Sequence, residues 1–252
     1  MSQIIAVLNQ KGGVGKTTTT INVGAYLAKA GHKVLIVDFD PQGNATSGLG
    51  LDKNSGATMY DVLSGRAGLG ECIRPTSIDG LNVALANANL AAAEVELVSQ
   101  LERERVLRKV LSQTAYDFVL IDCPPSLGLL TINALTAASQ VLVPVQAEYY
   151  ALEGLGQLLD VVQRVRGGLN PSLELLGVVV TMYDSRTSLS DQVYKELQAH
   201  FGNKMFKTVV PRNVRVAEAP SYGKPVSEHD RWSKGARAYK QLAKEIVKRT
   251  GN

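Results

Sequence analysis

The chain has 252 residues, 45% of them hydrophobic and 20% charged, with a formal net charge of +4 and a mean hydropathy of -0.01. These values exclude a disordered, collagen-like or disulfide-scaffold chain and describe a globular protein whose core is large enough to fold alone. The charge is uneven: residues from Arg186 to Asn252 include 14 Lys or Arg against 6 Asp or Glu, net +8, whereas residues 1–185 hold 13 against 17, net -4.

Cys72 and Cys123 are too few for a disulfide framework or a four-thiolate metal site, which suits a reducing cytosol. Met1-Ser2-Gln3-Ile4 carries no basic region leading into a long apolar stretch, and no run approaches the about 18 apolar residues of a membrane span. A soluble, cytoplasmic protein is expected. No repeat or linker-like composition break appears, so residues 1–252 are read as one domain.

Strand and helix signals alternate along the chain. Ile4 to Leu8 reads as a buried strand, followed by a glycine-rich turn and a helix to about Ala30, closed by Gly31. Further apolar runs are Val34 to Val37, Leu81 to Leu85, Phe118 to Ile121, Val141 to Val145 and Leu175 to Val180. Helical patterns cover Glu102 to Leu111, Leu152 to Val165, Leu189 to Phe201 and Gly235 to Lys248. Continuous apolar strands separated by helices predict an α/β fold, a mostly parallel sheet covered on both faces. Ligands in such sheets sit beyond the carboxyl ends of the strands.

After the first strand comes Asn9-Gln10-Lys11-Gly12-Gly13-Val14-Gly15-Lys16-Thr17-Thr18. Between a strand and a helix, such glycines let backbone N–H groups turn inward around a phosphate. Lys16 reaches its β/γ oxygens and the Thr17 hydroxyl holds Mg²⁺. The pattern G-x-x-x-x-G-K-[ST] fails at Gln10, and a second lysine, Lys11, stands beside Gly12. Lys11 has two readings: a solvated loop lysine, or a group that reaches a phosphate held by a second molecule.

After the second strand stands Asp38-Phe39-Asp40-Pro41-Gln42-Gly43-Asn44. Two acids in a Pro/Gly turn are either turn formers or the carboxylates that phosphoryl transfer requires. Beside a phosphate loop the second reading is preferred, with Asp40 positioning the attacking water and Asp38 nearer the metal. Asp122, ending Phe118-Val119-Leu120-Ile121, is read as a carboxylate supporting Mg²⁺ through water or Thr17, against the alternative of a helix cap. The basic C-terminal quarter suggests a polyanion-binding surface, though each lysine or arginine alone reads as a solvated helix face.

Taken together, these segments resemble the ParA/Soj chromosome-partitioning ATPases. The likeness rests on Lys11 to Thr18, which is similar to the deviant Walker A motif, and on Asp38 to Gly50. It continues through Asp122-Cys123-Pro124-Pro125-Ser126-Leu127, Pro144 to Gly154, and Val210-Pro211-Arg212-Asn213-Val214-Arg215. It covers essentially the whole chain. The first strand begins at about residue 3, so the N-terminal helix-turn-helix domain of longer plasmid relatives is not expected.

The resemblance implies an ATP-dependent sandwich dimer in which Lys11 of each chain touches the phosphates of the other. Gly12, Gly13, Val14, Gly15, Lys16, Thr17 and Thr18 would cradle ATP and Mg²⁺, with Pro211 and Asn213 at the adenine. Lys11, Lys16 and Asp40 would be catalytic, and Thr17, Asp38 and Asp122 would support the metal. Non-specific double-stranded DNA binding is implied for Arg186 and Arg215, with Lys224, Arg231 and Arg237 added from the same basic segment. A ParB-like partner would stimulate slow ATP hydrolysis, and the protein would associate with the nucleoid. A ParA-like relative that positions another cargo on the nucleoid would look nearly the same, and a MinD-like membrane relative is the main rival. It is disfavoured because Lys240 to Asn252 holds only three large apolar residues and no aromatic, a weak amphipathic anchor.

Overall fold

In the computed structural model, which describes residues 2–148 and 153–251, the apolar runs become strands buried on both faces. They are β1 (Gln3–Val7), β2 (Val34–Asp38), β3 (Ile73–Pro75), β4 (Leu81–Ala84), β5 (Phe118–Asp122), β6 (Gln140–Gln146) and β7 (Glu174–Thr181). They form a seven-stranded sheet in the order β3-β4-β2-β5-β1-β6-β7. All pairs are parallel except β3 with β4, an antiparallel edge. The single-domain α/β class expected from the sequence is what the structure has.

The helices between the strands are α1 (Lys16–Lys29), α2 (Asn44–Gly48), α3 (Met59–Leu63), α4 (Leu69–Cys72), α5 (Leu90–Glu96) and α6 (Val106–Leu111). Then follow α7 (Leu129–Ala137), α8 (Glu153–Gly168), α9 (Ser188–Phe201), α10 (Val214–Glu218), α11 (Val226–His229) and α12 (Lys234–Thr250). Their ends follow local chemistry. Thr187 caps α9 through Ser190 N, and Ser233 caps α12 through Ala236 N. Gly31, at φ +97, closes α1 in the left-handed region where a side chain would be strained.

α1 lies so close to the sheet that a Cβ on Gly24 would meet Ile36 at 3.0 Å. α12 packs alongside α1 and buries Tyr239, Leu242 and Ile246. Chain order places β1 between β5 and β6. The chain leaves β1 toward β2 on one side and leaves β5 toward β6 on the other, so the sheet changes winding direction at the end of β1. That crevice is where ligands bind in open parallel sheets.

Eight elements among the described residues escaped the sequence reading: β3, α7 and the helices α2, α3, α4, α5, α10 and α11, whose four to seven residues are too few to show a helical period. β3 is a three-residue antiparallel edge ending in proline, too short for a period-two signal. α7 (Leu129–Ala137) is apolar around most of its circumference and largely buried, so it has no polar stripe to mark a helical period. The helix expected from Glu102 instead opens with a 3₁₀ turn, Arg103–Arg105, after Glu102 at φ +54, and only then becomes α6. Its partner pattern from Leu152 starts outside the described residues; α8 is described from Glu153.

Candidate nucleotide site at the carboxyl ends of the strands

The loop after β1 is strapped at both ends. Asn9 is buried, its Nδ2 donates to the Pro144 carbonyl of β6 at 2.8 Å, and its Oδ1 accepts the Lys11 amide at 3.0 Å. At the far end the Thr181 hydroxyl of β7 donates to the Val14 carbonyl at 2.8 Å. Gly13 and Gly15 take φ +76 and +87, which the turn into α1 requires. No side chain caps the first amides of α1. Those N–H groups and the positive end of the helix dipole therefore face the loop's concavity, a ready anion site.

Lys16, the first residue of α1, is only 7% exposed, and its Nζ donates to the Lys11 carbonyl at 3.3 Å. Burial pulls its ammonium below the usual lysine range, while the charges of Asp122 and Asp40 act the other way. A cavity of about 330 Å³ opens here, lined by Gly12, Gly13, Gly15, Lys16, Thr17 and Thr18 from the loop and by Asp40, Gln42, Asn44, Pro125 and Met182 opposite. A second, of about 300 Å³, shares Gly15, Thr18 and Met182 with it and is lined by Val210, Pro211, Asn213, Val216 and Tyr239. One chamber is polar and amide-rich; the other offers apolar and aromatic surface. Met182, between them, holds φ +50, unusual for a non-glycine residue.

The three carboxylates separate into two roles. Asp38 and Asp122 are paired across neighbouring strands and fully buried. Asp38 Oδ2 accepts the Thr46 amide at 2.8 Å and its hydroxyl at 2.7 Å; Asp122 Oδ1 accepts the Thr20 hydroxyl at 3.2 Å. Asp38 Oδ1 and Asp122 Oδ2 have no hydrogen-bond partner. Burial pushes both acids up from the ordinary carboxylate range, and the charge of Asp38 pushes Asp122 further; the Thr17 hydroxyl acts in the opposite direction on Asp122. Asp40 instead lines the first cavity, 8% exposed, its Oδ1 accepting the Gln42 amide at 2.9 Å.

Among the described residues no group of three or more His, Cys, Asp or Glu side chains could hold a metal. The oxygen-only set of Thr17, Asp122 and Asp38, with orphaned carboxylate oxygens beside an anion cradle, fits a hard cation such as Mg²⁺ that takes its other ligands from phosphate and water. Cys72 and Cys123 are buried, and burial pushes both thiols up, so neither serves as a thiolate.

Lys11 does not line either cavity. Its Nζ stands 2.6 Å from Glu148 Oε2, with both side chains more than two-fifths exposed. Glu148 had no role in the sequence reading; its only signal is its place in the Pro144 to Gly154 segment, of which Tyr149, Tyr150, Ala151 and Leu152 lie outside the described residues. Thr181 and Tyr239 were also missed, because each acts across a long separation in sequence, and Thr46, eight residues from Asp38, was missed because no spacing rule marks it.

Of the basic residues singled out, all five are exposed. Arg186 makes a two-pronged pair with Asp184, at 2.9 and 2.7 Å. Arg215 pairs with Glu218 at 3.0 Å and Asp230 at 3.6 Å, which brings it beside Arg231, itself stacked on Trp232. Lys224 and Arg237 have no acidic partner within 4.0 Å among the described residues. The Arg186 loop is joined to the 210–212 segment by backbone hydrogen bonds between Tyr183 and both Val210 and Arg212.

A parallel sheet with a glycine loop at its winding switch, an invading lysine and acids at adjoining strand ends defines a P-loop nucleotide-binding protein of the two-lysine type. Residues 2–175 match the family model described as an AAA domain. The chain is 52% identical over 253 residues to the chromosome-partitioning ATPase Soj of Treponema pallidum, covering 100% of this chain and 99% of that one. It is 53% identical over 250 residues to the sporulation initiation inhibitor protein Soj of Bacillus subtilis, with 98% and 99% covered. Among solved structures, cobyrinic acid a,c-diamide synthase from Mycobacterium smegmatis, with bound ADP and magnesium, superposes with a TM-score of 0.88 at 38% identity, covering 100% of this chain and 96% of the other. The chain belongs to the Soj/ParA family of chromosome-partitioning ATPases, of P-loop type. No helix among the described residues is long and apolar enough to cross a membrane.

Proposed function

We propose that this ATPase is a nucleotide-gated DNA-segregation switch: ATP joins two copies, the dimer holds DNA without sequence preference, and a ParB-like partner triggers hydrolysis and release. The observation that carries the reading is the divergence of two lysines five residues apart. Lys16 is buried in its own phosphate cradle, whereas Lys11 is turned out of it toward Glu148 at 2.6 Å. A lysine held at the rim, outside the cavity of its own loop, supports a role toward a phosphate held by a second copy.

The phosphates of ATP would lie in the chamber under the α1 N-terminus, against Lys16 and the amides of Gly12 to Thr18. The base would lie in the apolar chamber by Pro211, Asn213 and Tyr239. Thr17 and Asp122, with Asp38 behind, would hold Mg²⁺, which supplies charge neutralisation on the phosphate oxygens. Asp40, on the cavity wall and pinned by the Gln42 amide, orients the attacking water. Lys16 stabilises charge on the γ-phosphate as its bond to the leaving oxygen breaks, and Lys11 of the second copy adds a further cation. Losing the γ-phosphate removes the bridge between copies. The basic surface of Arg186, Arg215, Lys224, Arg231 and Arg237 would meet the DNA backbone, which places the ATP form on the nucleoid in the cytoplasm.

The test is fluorescence anisotropy of a DNA duplex of arbitrary sequence with ATP, ADP or no nucleotide, over a salt series. Binding with ATP alone, falling steeply with salt, is the expected result. Equal binding in all three states would remove the gating, and none in any state would return the basic surface to a solvated face.

A further inference from the structure

α1 rises about 1.5 Å per residue, so its C-terminal end lies roughly 20 Å from the phosphate loop, near the amino ends of the strands. There it runs beside α12, and between the two helices is a cavity of about 380 Å³. Its floor is largely apolar: Leu27 and Ala243 are buried, Ala30, Val247 and the Tyr26 ring add to it, and the half-buried imidazole of His32 is the one further polar group of the lining. Its rim is cationic. Lys240 and Lys244 stand one helical turn apart on the same exposed face of α12. Neither has a carboxylate within 4.0 Å among the described residues, while Lys29 on the opposite wall is matched by Glu228 at 3.7 Å.

The two halves of the lining select a ligand together. A nucleic-acid backbone would satisfy the lysines and leave the apolar floor wet. A neutral apolar molecule would cover the floor and leave two ammonium groups unmatched. The volume falls within the range of about 300–1,000 Å³ typical of small-molecule pockets. The Tyr26 hydroxyl makes no hydrogen bond among the described residues, and burial pushes its phenol up, so it remains a neutral donor. We infer that the groove between α1 and α12 binds a free single-chain amphiphilic carboxylate, its apolar body on Leu27, Ala243 and Val247 and its head group between Lys240 and Lys244.

Sodium decanoate, kept below its micelle concentration, is the probe, titrated calorimetrically into the full chain. One site is expected. Reversing both rim charges, Lys240→Glu with Lys244→Glu, should weaken it about ten-fold or more, the scale of a lost charge-assisted pair. Ala30→Trp, at the exposed mouth, should block it, while Lys195→Glu on the outer face of α9 leaves it unchanged. Protein saturated with ADP should bind decanoate as well as free protein does. Thermal melts check that the variants are folded. Absence of binding, indifference to both groove substitutions, or displacement by ADP would overturn the assignment. So would capture by phosphatidylglycerol vesicles without any uptake of free decanoate, which would make the rim a membrane-facing surface.

Discussion

Asp38 and Asp122 are direct neighbours on adjoining parallel strands, both without solvent exposure, each with one carboxylate oxygen that nothing in the protein satisfies. Two like charges held this way disfavour ionisation of at least one. Burial first, and then the charge of Asp38, push Asp122 up to about 8. In this window the folded chain binds more protons than the unfolded one, so stability falls as pH rises from the ordinary carboxylate range toward 8. Each pH unit removes up to about 1.4 kcal/mol for one group. Relative to Asp122→Asn, the nucleotide-free wild type should therefore lose Tm between pH 5 and pH 8, by ~4 °C or more at this chain length. Calorimetric melts across that range check it; parallel curves for the two proteins would mean that Asp122 is ionised throughout.

Lys16 and Lys11 should separate nucleotide binding from assembly. Lys16→Ala removes a buried cation from the phosphate chamber and should weaken ATP at least ten-fold by a fluorescent-nucleotide titration. Lys11→Ala breaks only an exposed pair with Glu148, worth little to the fold. It should bind ATP within about three-fold of wild type yet fail to form an ATP-dependent dimer by light scattering. An ATP-dependent dimer of Lys11→Ala would refute its role between copies.

Asp40→Ala removes the one carboxylate that, among the described residues, lines the cavity and leaves the buried Asp38 and Asp122 pair in place. ATP binding should persist, and turnover should fall about 100-fold or more, the scale of a lost water-orienting base. Phosphate-release kinetics give the answer directly, and wild-type turnover in the variant would move the role elsewhere.

Six of the seven strands and the phosphate loop were legible in the sequence because each rests on a local pattern. A doubly buried strand is a continuous apolar run, and a phosphate cradle needs glycines and a lysine at fixed spacing. What was not legible depends on contacts between distant segments. Thr46 receives the amide of Ala86, Thr181 fastens Val14, and Tyr239 of α12 lines the apolar chamber while standing 3.4 Å from Thr19. No periodicity marks such residues. The sequence assigned Asp40 to the attacking water and Asp38 to the neighbourhood of the metal without placing either; the geometry adds that Thr46 holds Asp38 in the buried interior while the Gln42 amide holds Asp40 at the cavity wall.

Gly235 tests how tightly α12 closes the apolar chamber lined by Pro211, Asn213 and Tyr239. Alanine is the better helix former by about 1 kcal/mol. A Cβ here, however, would stand 2.3 Å from a Val216 methyl and 3.2 Å from Asn213 Oδ1, two groups that line the chamber or cap α10. Overpacking of this kind costs about 1–3 kcal/mol. Gly235→Ala should lower stability in denaturant titrations despite the propensity gain and, with the base in the apolar chamber as proposed, should weaken ATP more than it weakens pyrophosphate.

Arg186 offers the sharpest test of the proposed DNA surface, because it is held by a partner that bound DNA would have to replace. Its guanidinium takes both oxygens of Asp184, whose carboxyl is held well below the usual range by that contact, and its side chain is 85% exposed. A DNA phosphate presents the same planar pair of acceptors, so phosphate and Asp184 compete for one fork. Arg186→Ala should therefore weaken the ATP form's DNA binding alike for all sequences and reduce the slope of log K against log salt by about 0.9 for each copy whose Arg186 meets a phosphate, about 1.8 for the dimer. Asp184→Asn should move affinity the other way, since the arginine no longer has to leave a carboxylate and the local charge rises by one. Anisotropy titrations at several salt concentrations measure both effects. If Asp184→Asn strengthens binding but Arg186→Ala leaves the slope unchanged, the gain comes from general charge, and the contact belongs to Arg215, Arg231 and their neighbours instead.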